Sequence, residues 1–543
     1  MKKIFFLSSL VAGLSLMGCS DDIGNYNYTD INEVSIDAEA PGSVEEGKTY
    51  EFIAYVDKFN FDPKINSTFG ITDESAYEYE WRVIPQSADW NEIDESKITI
   101  ARTRKLDFTV NLPPRRYSAF FNVTDKSTGV TWTTQFNLQI SSLTNEGWLV
   151  LCNEDDKCRL DLIYNRNATE DIVSRDILQN KDELGKPERI LFSRYTTNIA
   201  ETMLVTDKDT YCLDHNDLHA GEDNSLRWRF GNSSHPVRIK ASAISNYSGS
   251  GENLWVVIDE NDDVYTLAVG TDGAFFEYPV SLIQGQEAFT PAPFVCVNVN
   301  QQSFRTGMQA CHPAVLYDAD HRQFVQMQHN SAYPVVMDFK GDKIFDNPTG
   351  KDMVHMESCR HGEIKAALRD PSTHETYYYS MTLHGEEKEG AHWWDDKEYI
   401  GWNVQEGYGK IIGPNVENAT KFAFHYLFSY VFYVADNTVY QFNMSTPDRP
   451  AVPVLSFPGE EIALIKFVPF MGPFLENSNN TSWQYQRNYQ LIVATNKSGM
   501  TDDKCGIVRF YEVPDLMRPL VEIKKFDEFG RIVDIVYKER RIA

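Results

Sequence analysis

The chain has 543 residues, with 51 Lys plus Arg against 79 Asp plus Glu and a formal net charge of −28. That surplus of acid excludes the clustered basic face that nucleic-acid binding needs, and equally a basic patch for anionic lipid. Hydrophobic residues at 42 %, aromatics at 13 % and 31 Gly with 23 Pro fit packed strands and turns, and the length fits two to four domains, or one small and one large.

Lys2 and Lys3 precede an apolar stretch from Ile4 to Met17. It falls short of the roughly 20 residues of a membrane span and reads as a signal peptide. Its end, Leu16-Met17-Gly18-Cys19, resembles a bacterial lipobox. That resemblance implies cleavage before Cys19 and acylation of its thiol and freed amine. Several acyl chains on one residue anchor stably where a single chain would not. Ser20-Asp21-Asp22 resembles the surface-export signal of Bacteroidota lipoproteins. The expectation is a signal peptide over 1–18, a lipidated tether over 19–32, and an acidic body at the outer membrane facing outward.

Residues 33–143 carry short alternating runs. Tyr77, Tyr79, Trp81 and Val83 share one face of the run from Tyr77 to Val83. Further runs are Val34–Ile36, Thr49–Tyr55, Leu106–Val110, Tyr117–Val123 and Thr131–Ile140. About seven short strands in such a length predict an immunoglobulin-like sandwich with Trp81 in its core. Tyr79-Glu80-Trp81 resembles the Tyr-x-Trp strand of a PKD domain. The Gly-Asp-Gly that would follow is replaced by Ile84-Pro85-Gln86, as in divergent PKD-like sequences.

From residue 144 to 543 one pattern recurs: an apolar strand, a turn rich in Asp or Asn, a second strand. The first pairs Trp148–Cys152 with Cys158–Ile163, and the seventh pairs Leu491–Ala494 with Ile507–Tyr511. The turn acids Asp156, Asp207, Asp262, Asp320, Asp370, Asp436 and Asp502 stand 51, 55, 58, 50, 66 and 66 residues apart. A hairpin cannot bury both its faces alone, so such repeats stack around an axis. The seven hairpins predict a β-propeller of seven blades, the uneven period leaving six or eight open and a pair of stacked sandwiches as the alternative; Arg531–Tyr537 would complete an earlier blade and close the ring.

Seven cysteines remain besides Cys19, so a complete disulfide framework needs a free thiol. Cys152 and Cys158 flank a turn that a bridge would close; small buried hydrophobes inside strands is the favoured reading for most of the set. No zinc-protease, Walker, nucleophile-elbow or dinucleotide motif occurs. His355-Met356-Glu357-Ser358-Cys359-Arg360-His361 is the densest cluster of ligand types, at spacings that fit no standard metal site. Asp214–His219 reads as a turn. Adjacent Cys311 and His312 would point to opposite faces of a strand. Two insertions carry aromatic and charged residues suited to recognition: Trp393, Trp394 and Asp395 within 383–413, and Trp483, Tyr485 and Arg487 within 477–487.

The lipobox, the acidic triplet, Gly24-Asn25-Tyr26-Asn27-Tyr28, the Tyr-Glu-Trp strand and the closing Ile532–Tyr537 strand together resemble the PKD-like family lipoproteins of Bacteroidota. The resemblance implies a companion of SusC/SusD-type, TonB-dependent nutrient importers, with no catalytic residue, cofactor or metal to carry over. The expected function is to bind or present an oligomeric nutrient, a peptide in preference to a glycan. A propeller hydrolase or lyase acting on that nutrient, and a purely structural importer subunit, are the alternatives.

Overall fold

The computed structural model describes residues 30–86, 98–178, 181–194, 200–231, 234–245, 253–269, 274–283, 287–297, 314–327, 333–359, 362–388, 398–469 and 486–540. It is an all-β protein whose helix, among these residues, is confined to short turns. Two compact units divide it, Met1–Ser141 and Ser142–Ala543.

The first unit is a sandwich. A five-stranded sheet runs in the order Thr49–Ile53, Thr131–Ser141, Arg116–Asp125, Tyr77–Pro85, Thr99–Ala101. Two small sheets complete it, pairing Val34–Asp37 with Lys64–Ser67 and Lys58–Phe61 with Leu106–Thr109. Alternation along Tyr77–Pro85 turns Trp81 inward, where it is 1 % exposed. Its ring lies 5.9 Å from Phe61 and 4.3 Å from Phe121, and its indole N–H donates to the Thr103 carbonyl at 2.8 Å. Trp81 is a core residue, as its alternating run predicts.

The second unit is a ring of seven sheets among the described residues. Each hairpin of the sequence pattern forms the second and third strands of one blade, counted from the axis. Blade 1 orders Arg531–Lys538, Gly147–Glu154, Lys157–Asn165, Asp171–Ser174 from axis to rim. Blades 2 and 3 have three strands each: Pro187–Arg194, Ala200–Thr206, Thr210–Cys212, then Ile239–Ile244, Asn253–Asp259, Val264–Val269. Blade 4 has Ala314–Asp318, Gln323–Met327 and Val335–Val336, its innermost position held by bridges from Pro291 and Cys296. Blade 5 has Asp352–Ser358, Glu363–Arg369, Thr376–Lys388, Glu398–Lys410, with Phe339–Lys340 added in parallel at its edge. Blade 6 has Phe422–Phe424, Tyr430–Ala435, Thr438–Asn443, Val452–Ser456. Blade 7 has Glu460–Lys466, Gln490–Lys497, Gly506–Glu512, Val521–Phe529.

Two observations establish the ring. First, the core lies between blades, and alternate residues of one strand serve opposite neighbours. In Ala314–Asp318, Val315 and Tyr317 pack toward blade 5, whereas Ala314 and Leu316 pack toward blade 3. In Gln490–Lys497, Ile492 and Ala494 face blade 1 while Leu491 and Val493 face blade 6. Burying both faces explains why these strands read as near-continuous apolar runs. Second, the carboxy-terminal strand pairs antiparallel with the first strand of blade 1, Val150 opposite Ile535 and Trp148 opposite Tyr537. The chain end thus supplies the innermost strand of the blade that the ring begins with.

The innermost strands repeat a device absent from the sequence pattern. In blades 1, 2, 3, 5 and 7 the register against the next strand shifts by one residue, at Val533, Glu188, Lys240, Val354 and Ala463. A bulge at the same place in these five blades raises local twist and fans them around the axis. Charged groups bridge neighbouring blades there. Lys466 donates to Asp534 at 2.6 Å, and the other Asp534 oxygen accepts the Ile190 N–H at 3.1 Å, tying blades 7, 1 and 2.

Candidate functional site

Strands of a blade alternate in direction, so each blade has two ends. At one end lie the turns between second and third strands. There, Asp259, Asp318 and Asp370 accept main-chain N–H groups two to four residues ahead and fold the turn. Paired left-handed residues, Asp155 with Asp156 and Asp436 with Asn437, close the tightest of them. The remaining turn acids found in sequence are also engaged: Asp207 and Asp320 accept the Lys186 and Thr290 N–H groups, and Asp262 and Asp502 pair with Lys240 and Arg531.

A cavity of about 410 Å³ opens at this end of blade 5, lined in part by Asp352, Met353, Arg369, Asp370, His374 and Thr420. Its charges are already engaged. Asp352 pairs with Arg322 at 2.7 Å, and Arg369 donates to the Ala419 and Val416 carbonyls at 2.6 and 3.2 Å. Main-chain hydrogen bonds from Thr373 and Ser372 hold the Asp370 carboxyl below its ordinary range. The pocket holds fixed, paired charges.

The dense ligand-type cluster lies on the innermost strand of blade 5 and the start of the next. His355 and Glu357, two apart on a strand, share a face, with Nε2 to Oε1 at 3.5 Å. Glu357 accepts the Phe424 N–H of blade 6. Lys365 is 4 % exposed and donates to the His425 carbonyl at 3.1 Å. Burial pulls the Lys365 ammonium down, and Cys359 and Glu363 outweigh it, so it stays charged. Among the described residues no group of three His, Cys, Asp or Glu is arranged to hold a metal. Arg360 and His361 lie outside the described residues.

Cys152, Cys158, Cys212, Cys296, Cys359 and Cys505 are free thiols. Register sets Cys152 opposite Arg159 and Cys158 opposite Asn153, so the two cysteines at the first turn are not cross-strand partners. Cys152 packs toward blade 7, while Cys158 donates to the Gly185 carbonyl. Burial pushes Cys158 and Cys296 up to about 12 and Cys152 and Cys359 well above the ordinary range. Such thiols carry almost no thiolate at neutral pH and make poor nucleophiles.

His425 is fully buried at the end of the innermost strand of blade 6. Its Nδ1 accepts the Leu427 and Phe428 N–H groups at 3.1 and 2.8 Å, fixing the tautomer with the proton on Nε2. Burial, then Lys365, lowers its pKa to about 3. The unfolded chain takes up this proton near pH 6.5 and the folded one does not until about pH 3, so acid favours unfolding across that window. Stability is expected to fall by about 1.4 kcal/mol per pH unit from this group alone. His425→Asn keeps an acceptor for the two N–H groups and removes the titration. Urea unfolding at stepped pH should show a flatter acid limb for this variant; equal slopes would contradict the assignment.

The other predicted residues are distributed as follows. Asp214 accepts the Asn216 and Asp217 N–H groups at 2.8 and 3.3 Å, forming the expected turn. Cys19, Cys311, His312, Trp393, Trp394, Asp395, Trp483 and Tyr485 lie outside the described residues. Arg487 is 6 % exposed and lays its guanidinium 3.5 Å from the centre of the Tyr537 ring, a packing role at the ring closure. The hairpin Thr376–Lys388 with Glu398–Lys410 pairs as far as Lys388 opposite Glu398, with one bulge at Glu406, and forms the stem leading to the Trp393 insertion. On it, Trp402 stacks on His384 at 5.5 Å and Lys340 sits 5.0 Å over its ring. Both insertions leave blades at the end opposite the turns. One follows a third strand and the other a first strand, which run the same way.

Sequence reasoning missed three exposed aromatics near the rim of blades 2 and 3: Trp228 at 54 %, Phe275 at 45 % and Tyr278 at 78 %. Their sequence neighbours Phe230 and Phe276 are largely buried, so nothing in the local pattern distinguishes the two kinds.

The fold thus defines an all-β protein in which a sandwich precedes a closed seven-bladed propeller. Residues 19–185 match the model of the PKD-like family, a span that includes the sandwich and the three amino-terminal strands of blade 1. A search of curated proteins gives no match. Similar solved structures include a quinoprotein alcohol dehydrogenase-like protein from Bacteroides thetaiotaomicron, 9 % identical over 92 % of this chain and 96 % of that one, with TM-score 0.31. Another is the WD40 domain of SCAP from fission yeast, 12 % identical over 63 % of this chain and 70 % of that one, with TM-score 0.26. A third is YCF48 from Cyanidioschyzon merolae, 10 % identical over 65 % of this chain and 97 % of that one, with TM-score 0.28. At such values the likeness adds nothing to the strand pairing, on which the ring rests.

Proposed function

We propose that this protein is a non-enzymatic lipoprotein of the outer membrane, displayed on the cell surface beside a SusC/SusD-type importer. It binds or presents an oligomeric nutrient, a peptide in preference to a glycan. The observation that carries the reading is the common exit of the two aromatic insertions, from blades 5 and 7, at one end of the ring. Long loops on a rigid scaffold are where recognition concentrates. The state of the reactive groups agrees: buried thiols with raised pKa values, a buried neutral imidazole, and carboxylates engaged in turns and ion pairs.

Anchoring is tested by Cys19→Ala. Labelled palmitate is expected to enter the parent chain and not the variant, and protease added to intact cells is expected to cleave the parent. Equal labelling, or protection of the parent until lysis, would overturn the surface reading. Importer subunits are expected to co-purify from detergent-solubilised outer membranes. Turnover of a peptide or oligosaccharide by the purified protein would replace this reading with the hydrolase or lyase alternative.

A further inference from the structure

Blade 3 ends in a strand edge that the rest of the ring avoids exposing. Its outermost strand, Val264–Val269, pairs on one side with Asn253–Asp259. The Asp259 N–H donates to the Asp263 carbonyl at the turn, which sets residues 265, 267 and 269 to bond inward and 264, 266 and 268 to point outward. Val264 is satisfied there: its N–H donates to Ser281 Oγ at 2.7 Å, and its carbonyl accepts the Val280 N–H at 2.6 Å. The next two outward positions, Thr266 and Ala268, have no main-chain partner among the described residues.

The segment that would supply a fourth strand is used otherwise. Phe276 forms a parallel bridge to Phe230, donating its N–H to the Arg229 carbonyl at 2.8 Å, and its ring packs 5.3 Å from Trp255 on the face of the blade. The exposed aromatics belong to the same bonded segments. Phe275 adjoins Phe276, Trp228 adjoins Arg229, and Tyr278 stands between Phe276 and Val280.

Every other blade protects its edge. Val521–Phe529 of blade 7 carries Glu522, Lys524 and Lys525, and Val452–Ser456 of blade 6 contains Pro453. Blade 1 ends in four residues led by Asp171, blade 4 in two residues, and the outer strand of blade 5 is paired at Asn403 and Val404 by Phe339–Lys340 and carries Glu406 and Lys410 beyond. Tyr211 at the edge of blade 2 is bridged by Ser225. Val-Tyr-Thr-Leu-Ala-Val of blade 3 has neither charge nor proline. Charges and prolines are the usual guards of an exposed edge.

The geometry points to an extended peptide docking on this edge as the missing fourth strand, with its side chains against Trp228, Phe275 and Tyr278. Alternating N–H and C=O groups at strand spacing match another main chain and not a sugar. Two free positions give too short a seam for the interface of a stable second copy, which needs roughly 1,000 Å² or more. Glu277, exposed between the aromatics, and the acidic chain as a whole favour a peptide with basic residues. This names a ligand class for the recognition function proposed above and rests on that reading for its setting.

The test uses the mature chain carrying Cys19→Ala, which needs no membrane. The probe is fluorescein-labelled Lys-Val-Lys-Val-Lys-Thr, compared with the same peptide N-methylated at alternate amides. The parent peptide is expected to bind, and the methylated one about tenfold or more weaker, for two lost main-chain hydrogen bonds. Thr266→Pro removes an outward donor and no inward bond, and should weaken the parent peptide by a similar factor. Tyr278→Ala, at a site too exposed to disturb folding, should weaken it several-fold. Absence of binding, equal affinity for the two peptides, preference for an oligosaccharide, or a dimer in light scattering that Thr266→Pro dissolves would each overturn the assignment. None of these outcomes bears on acylation of Cys19 or on surface exposure, which are measured separately.

Discussion

Deleting residues 531–543 is expected to abolish the cooperative unfolding transition of the propeller. The deletion removes the innermost strand of blade 1 and with it three buried apolar side chains, Ile532, Ile535 and Tyr537, besides buried Lys538 and Glu539. At about 2 kcal/mol for each buried apolar side chain, roughly 6 kcal/mol of burial is lost, a figure comparable to the whole stability of a typical domain. Partners are orphaned as well. Trp148 loses Tyr537 at 5.0 Å, Lys466 loses Asp534, and Arg194 loses its buried ion pair with Glu539 at 2.7 Å. A buried charge stripped of its counter-ion is strongly destabilising. Thermal unfolding followed by circular dichroism should show a broad, early loss of signal, and the synthetic 531–543 peptide added in trans should restore part of the transition. A truncated protein with the parent melting temperature would show that the ring closes elsewhere.

Trp81→Ala is expected to cost the sandwich about 3–5 kcal/mol, the range for a fully buried large aromatic cut to a methyl group. The cavity would lie between Phe61, Phe121 and Phe136, whose rings are all within 6.3 Å of the indole. Neighbours bridged by a sheet cannot collapse to fill it. Trp81→Phe keeps most of the packing but leaves the Thr103 carbonyl unpaired, so it should cost less. Hydrogen exchange at the amides of Arg116–Asp125, which pair with the Trp81 strand, reads the change directly. A loss below about 1 kcal/mol for the alanine variant would contradict a core position.

The parts of this fold that the sequence displays are those buried on both faces. Leu316 and Tyr317 face different blades, so their strand has no polar side and stands out as an apolar run. All seven middle hairpins share this property, which is why their turns could be counted. The closing strand was legible for the same reason, in Ile532, Ile535 and Tyr537. The innermost strands of blades 2, 3, 5 and 7 were not, because each bulges, at Glu188, Lys240, Val354 and Ala463, which breaks a period of two. In blade 4 that position is reduced to bridges at Pro291 and Cys296, which no propensity would reveal. Trp81 was legible from strict alternation along its strand.

The site was less legible, because recognition surfaces follow no periodicity. Arg487 looked exposed among polar neighbours, yet tertiary packing puts it on the Tyr537 ring. Conversely, Tyr278 and Phe275 lie in an apolar-looking stretch that the structure turns outward. The edge of blade 3 depends on which residues point outward and on the path of Phe276, and both are consequences of register alone.

Hydrogen exchange of the whole chain, resolved by residue, tests the closed ring most directly. If Arg531–Lys538 is the innermost strand of blade 1, its inward-bonded amides should be protected to the same free energy as those of Gly147–Glu154 and should open in the same cooperative event. Exchange of the carboxy-terminal strand within seconds while Gly147–Glu154 stays protected would contradict the closure.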